Sequence, residues 1–318
     1  LFELVEKHGI ACDARRCGWI QATAKRTGLG AVRRRMEQWQ KRGAPVEWFD
    51  RAQLAAVIGT DEYLGGWLDR RGGSIQPLSY VRGLARAAIR AGAQLHAQSE
   101  VIRIARAGAQ WLVETRGGRL RAEWVLIGTN AYTGRLWPRL KGAVMRAHSV
   151  QIATAPLDDA ARQTILPHGH ACTDTRLLLR YFKIDGTGRL VMGGAGGLVP
   201  PIGPDEPSFR LLERTVRRMF PQIANPRFEF HWYGKGAVTF DMLPHLHEPA
   251  SGLIAALGYA GRGLAMGTAL GTLLARRALG EPREALPFPC WPLRARPLAA
   301  LAGLALTARA AVLNRIRR

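Results

Sequence analysis

The residues best placed by type and spacing to touch a ligand are those of Gly258-Tyr259-Ala260-Gly261-Arg262-Gly263-Leu264, which follow the aliphatic run Leu253-Ile254-Ala255-Ala256-Leu257. The run reads as a buried strand, and the residues after Gly263 read as a helix. Glycine accepts φ > 0 and lets backbone N–H groups come close to a bound molecule. The helix start adds partial positive charge, which suits an anion or the electron-rich edge of a ring. An ordinary strand-to-helix turn has the same pattern. The spacing is GxxGxG, not the GxGxxG of a dinucleotide-binding unit, and Gly193-Gly194-Ala195-Gly196-Gly197 is not followed by a helical pattern. Metal chemistry finds no support: Cys12, Cys17, Cys172 and Cys290 are scattered, and His148, His231, His245 and His247 lack ligand spacing. Asp241 reads as a turn carboxylate in preference to a general base.

The elements that must carry these residues follow from periodicity. Leu29 to Arg42 is expected as a helix stopped by Gly43, and Leu78 to Ala91 as an amphipathic helix begun by Pro77 and ended by Gly92. Ala93 to His96 reads as a short strand. Val101 to Ala105 and Gln110 to Arg116 read as a hairpin, and Trp124 to Ile127 as a buried strand ending in Gly128-Thr129-Asn130. From Ser149 to Trp232 the chain is mostly β, interrupted by a helix from Pro207 to Met219. The expected fold class is therefore α/β plus α+β: a Rossmann-like unit incomplete at its N-terminus, with an antiparallel sheet in a second domain. The expected boundaries are 1–140 with 250–285 for the first domain and 141–249 for the second. A basic C-terminal helix over 286–318 completes the reading.

The 318 residues carry 46 Lys+Arg against 24 Asp+Glu, a net charge of +22. The arginines come in pairs and triplets, such as Arg33-Arg34-Arg35, without a block of five. Solvated arginine on a globular chain explains this, and so does an anionic partner. The few free thiols point to a reducing, cytoplasmic setting. No signal peptide is legible, and the chain opens on Leu1 as if inside a longer protein. The apolar stretch Leu298 to Ala308 is shorter than the roughly 20 residues of a membrane span, so at most peripheral membrane contact is expected of the tail.

Five segments in order resemble the FAD-dependent D-amino-acid oxidase superfamily, above all gamma-glutamylputrescine oxidoreductase-like and glycine/sarcosine oxidase-like members. They are Gly73-Ser74-Ile75-Gln76-Pro77-Leu78-Ser79-Tyr80-Val81, Val125 to Tyr132, Gly188 to Gly194, Trp232-Tyr233-Gly234 with Thr239 to His245, and Gly258 to Gly263. The resemblance covers about residues 9 to 280. It implies an FAD domain under an antiparallel substrate domain, and oxidation of a C–N bond in a small amine or amino acid. An imine is the product, and hydrogen peroxide forms when dioxygen is the acceptor. Members of the family open with a GxGxxG unit that this chain lacks, so a fragment or a truncated, inactive form is expected.

The resemblance also assigns residues. Gly261, Arg262, Gly263 and Leu264 fall at the flavin ring, Gly128 and Thr129 beside the dinucleotide, and Val101 near the adenine. Arg262 stands where a small polar residue or His is usual; it brings positive charge toward the ring or is a surface arginine. Tyr181 and Lys183 fall at the substrate, where relatives often carry Arg, so recognition of an α-carboxylate is in question. Arg180 competes for that role from the other strand face. Two rivals remain open: a non-catalytic basic protein binding nucleic acid or an anionic surface, and a flavin dehydrogenase with another acceptor. No nucleic-acid motif supports the first.

Overall fold

The computed structural model describes residues 1–176, 179–197, 201, 203 and 206–293. Phe2–His8 (α1) leads to Trp19–Thr23 (β1), Arg26–Gln40 (α2), Val46–Asp50 (β2) and Arg51–Ile58 (α3). Gly65–Asp69 (β3), Pro77–Arg90 (α4), Val101–Ala107 (β4), Gln110–Thr115 (β5), Arg119–Ala122 (β6) and Val125–Ile127 (β7) follow. Met145–Pro156 (β8), Asp159–Thr164 (α5), Ala171–Asp174 (β9), Arg180–Ile184 (β10), Arg189–Gly197 (β11), Pro207–Met219 (α6) and Phe228–Val238 (β12) come next. His245–Ala250 (β13), Leu253–Leu257 (β14) and Gly263–Ala278 (α7) complete the regular elements. Local chemistry sets several of these limits. Asp50 and Gln53 form a reciprocal capping box at the start of α3, Gly59 closes it at φ 86°, and Pro207 opens α6.

The chain divides into two compact units, Phe2–Arg86 with His148–Gly234, and Ala87–Ala147 with the described chain from Lys235 onward. The first is built on a sheet ordered β12-β8-β11-β10-β9-β1-β3-β2. Its ladders run antiparallel at β2·β3, β1·β3, β9·β10, β10·β11 and β11·β8, and parallel at β1·β9. Ile20, Ile152, Phe182, Leu190 and Met192 from the strands form one core with Leu54 and Ile58 of α3 and Phe209, Leu212 and Val216 of α6. Gly66 lies against β1 so closely that a Cβ would stand 2.5 Å from the Gln21 carbonyl oxygen. Beside this core Asp174, fully enclosed, binds the Arg176 guanidinium and accepts from the backbone N–H groups of Arg176 at 3.1 Å and Arg180 at 2.9 Å. Glu62 takes a second Arg176 contact and two hydrogen bonds from Arg218 at 2.6 and 3.0 Å.

The second unit contains a sheet ordered β13-β14-β7, with β7 parallel and β13 antiparallel to β14. Leu253, Ala255 and Leu257 of β14 pack with Trp111, Ile127 and Val144, while Ile254 and Ala256 meet Leu270, Leu273 and Leu274 of α7. The β4-β5-β6 sheet is separate. Trp111 of β5 donates its ring N–H to the Ser251 carbonyl at 3.2 Å.

Three expectations need correction or limit. The sequence grouped residues 1–140 with the flavin-side domain, but β1 hydrogen-bonds to both β3 and β9 and so ties 2–86 into the large sheet. Periodicity carries no information about such pairing across 150 residues. Ala93 to His96 forms no strand, because a strand exists only with a ladder to join. Of the C-terminal helix expected over 286–318, residues 286–293 form no helix, Cys290 instead bridging to Leu246, and 294–318 lie outside the described residues.

Candidate functional site

The turn between β14 and α7 is shaped by contacts that only glycine allows. Gly258 sits at φ 79°, and a Cβ there would stand 2.4 Å from Thr239 Cγ2. Its N–H donates to the Asn130 side-chain oxygen at 2.9 Å, which brings the end of β7 against the end of β14. Asn130 itself takes φ 42°, a conformation Asn tolerates better than most residues. Thr133 donates to the Asn130 carbonyl at 2.7 Å and lies 2.8 Å from the Thr129 hydroxyl, which fixes the Gly128-Thr129-Asn130 corner. Ala260 N–H donates to the Ala237 carbonyl at 3.0 Å.

Beyond this anchored part the turn opens. Gly261, at φ 81°, has no atom within 4 Å of where a Cβ would lie, and Gly128 is equally open. Gly261, Arg262, Gly263, Leu264 and Ala265 are all exposed. Backbone N–H groups at the start of a helix lack intrahelical partners, so this 16-residue helix presents donors to solvent. Arg262 donates through Nη2 to the Met242 carbonyl at 2.9 Å, which gives its guanidinium a fixed neighbour.

Thus Gly128 and Thr129 share one corner with the 258–264 turn through Asn130. Val101 does not join them: it is half-buried opposite Thr115 in the β4-β5-β6 sheet. Tyr181 and Lys183 belong to the other unit. They alternate with Phe182 on β10, and Phe182 faces the core. Tyr181 shares a hydrogen bond with the Ser149 hydroxyl, and its ring fills the space where a Gly193 side chain would be. Lys183 Nζ donates to the Ile75 carbonyl at 2.6 Å. Burial pushes the Lys183 ammonium down from its ordinary pKa, against the opposing charges of Asp13, Asp185 and Cys17. Arg180 lies at the Asp174–Glu62 cluster, its Nη1 3.6 Å from Glu62 Oε1 and without a hydrogen bond among the described residues.

Near the turn, Asp241 accepts from Leu243 N–H at 3.0 Å and from His245 Nε2 at 2.9 Å. The His245 ring stacks on Trp291, centroids 4.7 Å apart, and His247 Nδ1 bonds the Trp291 carbonyl at 2.8 Å. Desolvation raises the Asp241 carboxyl, but the hydrogen bonds from His245, the Leu243 N–H and Thr239 outweigh it and hold the pKa at about 2. A depressed carboxylate stabilises the fold above its ordinary value of 3.8 and stops doing so as pH falls through about 2. An acid titration of tryptophan emission should therefore show a step between pH 4 and pH 2 as His245 is released from Asp241. Asp241→Asn should remove it, and a step retained in that variant would refute the pairing. Among the described residues no cluster of three or more His, Cys, Asp or Glu fits a metal ion, and no helix is long and apolar enough to cross a membrane.

An open glycine turn thus joins a buried strand, parallel to β7, to the start of a helix. The chain matches the FAD dependent oxidoreductase (DAO) family over residues 1–277, and it belongs to that family. It is 31% identical to the probable oxidoreductase OrdL of Rhizobium meliloti, over 82% of this chain and 61% of that protein. It is 26% identical to gamma-glutamylputrescine oxidoreductase of Escherichia coli, over 88% of this chain and 65% of that protein. The chain thus spans less than two thirds of the length of these relatives. The crystal structure of glycine oxidase from Geobacillus kaustophilus shares the fold, with a TM-score of 0.75 at 22% identity over 90% of this chain and 76% of that one.

The sequence gives no sign of two features of these regions. Asn130 was legible as the end of a turn but not as the partner of Gly258, 128 residues away. The Glu62 contacts with Arg176 and Arg218 join positions 114 and 156 residues apart, and composition marks neither.

Proposed function

We propose that the whole protein oxidises the C–N bond of a small amine or amino acid with FAD and releases an imine that water hydrolyses. The observation that carries this reading is the open start of α7, where Gly261 and Gly263 leave free space beside unpartnered helix N–H groups. The residues fit one edge of the cofactor. No GxGxxG run occurs in the 318 residues to receive a pyrophosphate. Bound FAD supplies two-electron acceptance: a hydride leaves the carbon bearing nitrogen as C=N forms, and dioxygen carries the electrons away as hydrogen peroxide.

The chain's own contribution is orientation and charge, since a substrate amine bound in its neutral form needs no protein base. Gly261, Arg262, Gly263 and Leu264 are assigned to the ring side, with Arg262 supplying positive charge from its anchor on Met242. Gly128 and Thr129 are assigned to the dinucleotide and Val101 to the adenine. Lys183 keeps two N–H donors after bonding Ile75, and these are assigned to a polar group of the substrate, with Tyr181 as its neighbour.

Lys183→Met should raise KM for an amino-acid substrate about tenfold to a hundredfold, the value of one charge-assisted hydrogen bond. Lys183→Arg should restore part of it. A drop in melting temperature with unchanged KM would instead assign Lys183 to holding the Ile75 loop. The function itself is tested by adding FAD to the protein, recording the flavin spectrum, and screening amines for bleaching and peroxide. Bleaching without peroxide would make the protein a dehydrogenase; indifference to FAD would refute the proposal.

A further inference from the structure

We propose that the outward face of α2 adsorbs to an anionic phospholipid bilayer. Between Lys25 and Arg42 the chain carries Lys25, Arg26, Arg33, Arg34, Arg35, Lys41 and Arg42, and its single carboxylate is Glu37. Elsewhere in the same unit several arginines are paired: Arg70 with Glu47, Arg71 with Asp69, Arg176 with Asp174, Arg189 with Glu229. Among the described residues none of the seven cations of this segment forms an ion pair. Arg35 bonds the Gln21 side chain at 2.9 Å, and Arg42 bonds the Gln38 carbonyl at 2.7 Å.

The direction of the charge is fixed by packing. Val32 and Met36 bury the inner side of α2 with Trp67, so the helix is folded before any encounter and binding has no ordering cost for it. At 3.6 residues per turn, Arg34 and Lys41 fall on the opposite side, with Arg26 and Arg42 to either side of them and Arg33 next to Arg26, toward the packed side. All five are exposed. The face is the convex side of a single helix, which suits a plane of phosphates. Guanidinium and ammonium groups near such a plane attract it additively, within about a Debye length.

The neighbouring aromatics decide against single-stranded nucleic acid. Arg33 covers the Trp48 ring at 4.6 Å and Arg71 covers the Trp39 ring at 4.7 Å, so neither offers a bare face on which a base could stack.

The experiment is cosedimentation of the chain with vesicles of phosphatidylcholine, with and without about one third phosphatidylglycerol, across a salt series. Binding is expected only to the anionic vesicles and should vanish toward 0.5 M salt. Arg26→Glu with Arg34→Glu and Lys41→Glu should weaken it at least about a hundredfold. The charge-matched change Arg116→Glu with Arg121→Glu and Arg135→Glu should leave most of it. Circular dichroism checks folding. If the first triple variant fails to fold, Arg34→Gln with Lys41→Gln serves and should weaken binding about tenfold or more. Equal loss in both triple variants would show that net charge acts diffusely and would overturn the assignment to α2. Absence of vesicle binding, with an α2-dependent shift of duplex DNA, would overturn the bilayer in favour of nucleic acid.

Discussion

Gly263→Val should leave the protein folded and abolish its flavin binding. A Cβ at Gly263 would meet only Tyr259 Cδ2, at 3.8 Å, an ordinary contact. The residue is exposed at the first position of α7, where a valine costs well under about 1 kcal/mol of helix stability. The new side chain would instead occupy the free space in front of the helix N–H groups. If that space holds the flavin ring, two extra methyl groups there oppose binding by several kcal/mol, about a hundredfold or more in affinity. The measurement is titration with FAD in the whole protein, followed by flavin fluorescence, with melting temperature recorded alongside. Gly258→Val is the contrasting variant. Its side chain would run into Thr239 at a φ of 79°, so it should lose the fold of its unit together with any ligand. Unchanged flavin affinity in Gly263→Val would remove α7 from the cofactor site.

The second large effect concerns stability. Asp174→Ala should cost about 3–5 kcal/mol, read as a lower urea midpoint at unchanged slope. Asp174 is fully enclosed and serves one guanidinium and two backbone N–H groups. Deleting it leaves Arg176, whose side chain is 16% exposed, with Glu62 as its one remaining carboxylate, beside Arg180, a cation already destabilised by burial and by Arg176's charge. Removing the stranded charge as well, in Asp174→Ala with Arg176→Ala, should recover part of the loss, because an unpaired buried cation is the costly species. A loss below 1 kcal/mol in the single variant would mean that Glu62 alone neutralises the cluster.

Legibility followed the range of the interaction. Pro207–Met219 was readable to the residue because a proline start and an amphipathic period are local. The helix α4 and the β4–β5 hairpin were readable to within about two residues at their ends, the hairpin's register pairing Ala107 with Gln110 across a two-residue turn. The glycine turn after β14 was readable as a turn, since Gly258 and Gly261 do take positive φ. What locks it, Asn130 and Thr239, was not. Lys183 shows the same limit: its type and neighbours gave a charge on a strand, while its bond to Ile75 depends on the approach of a segment 108 residues away. Val46–Asp50 is a strand because β3 lies beside it, a neighbour nothing local in its sequence announces. Ala93 to His96 had the composition of a strand and is none.

The short strand β7 has a further consequence. Among the described residues it is hydrogen-bonded to β14 on one side only and ends the order of its sheet, with Leu126 46% exposed. Half of its peptide groups therefore face outward as a row of donors and acceptors at strand spacing. Such a rim is indifferent to whose backbone fills it. A segment of the same molecule would seal it in a first-order step, at a rate independent of concentration. A neighbouring copy would seal it in a second-order step, which wins as the protein is concentrated. Which of the two seals the rim thus turns on a contest between two reaction orders, and dilution favours the first.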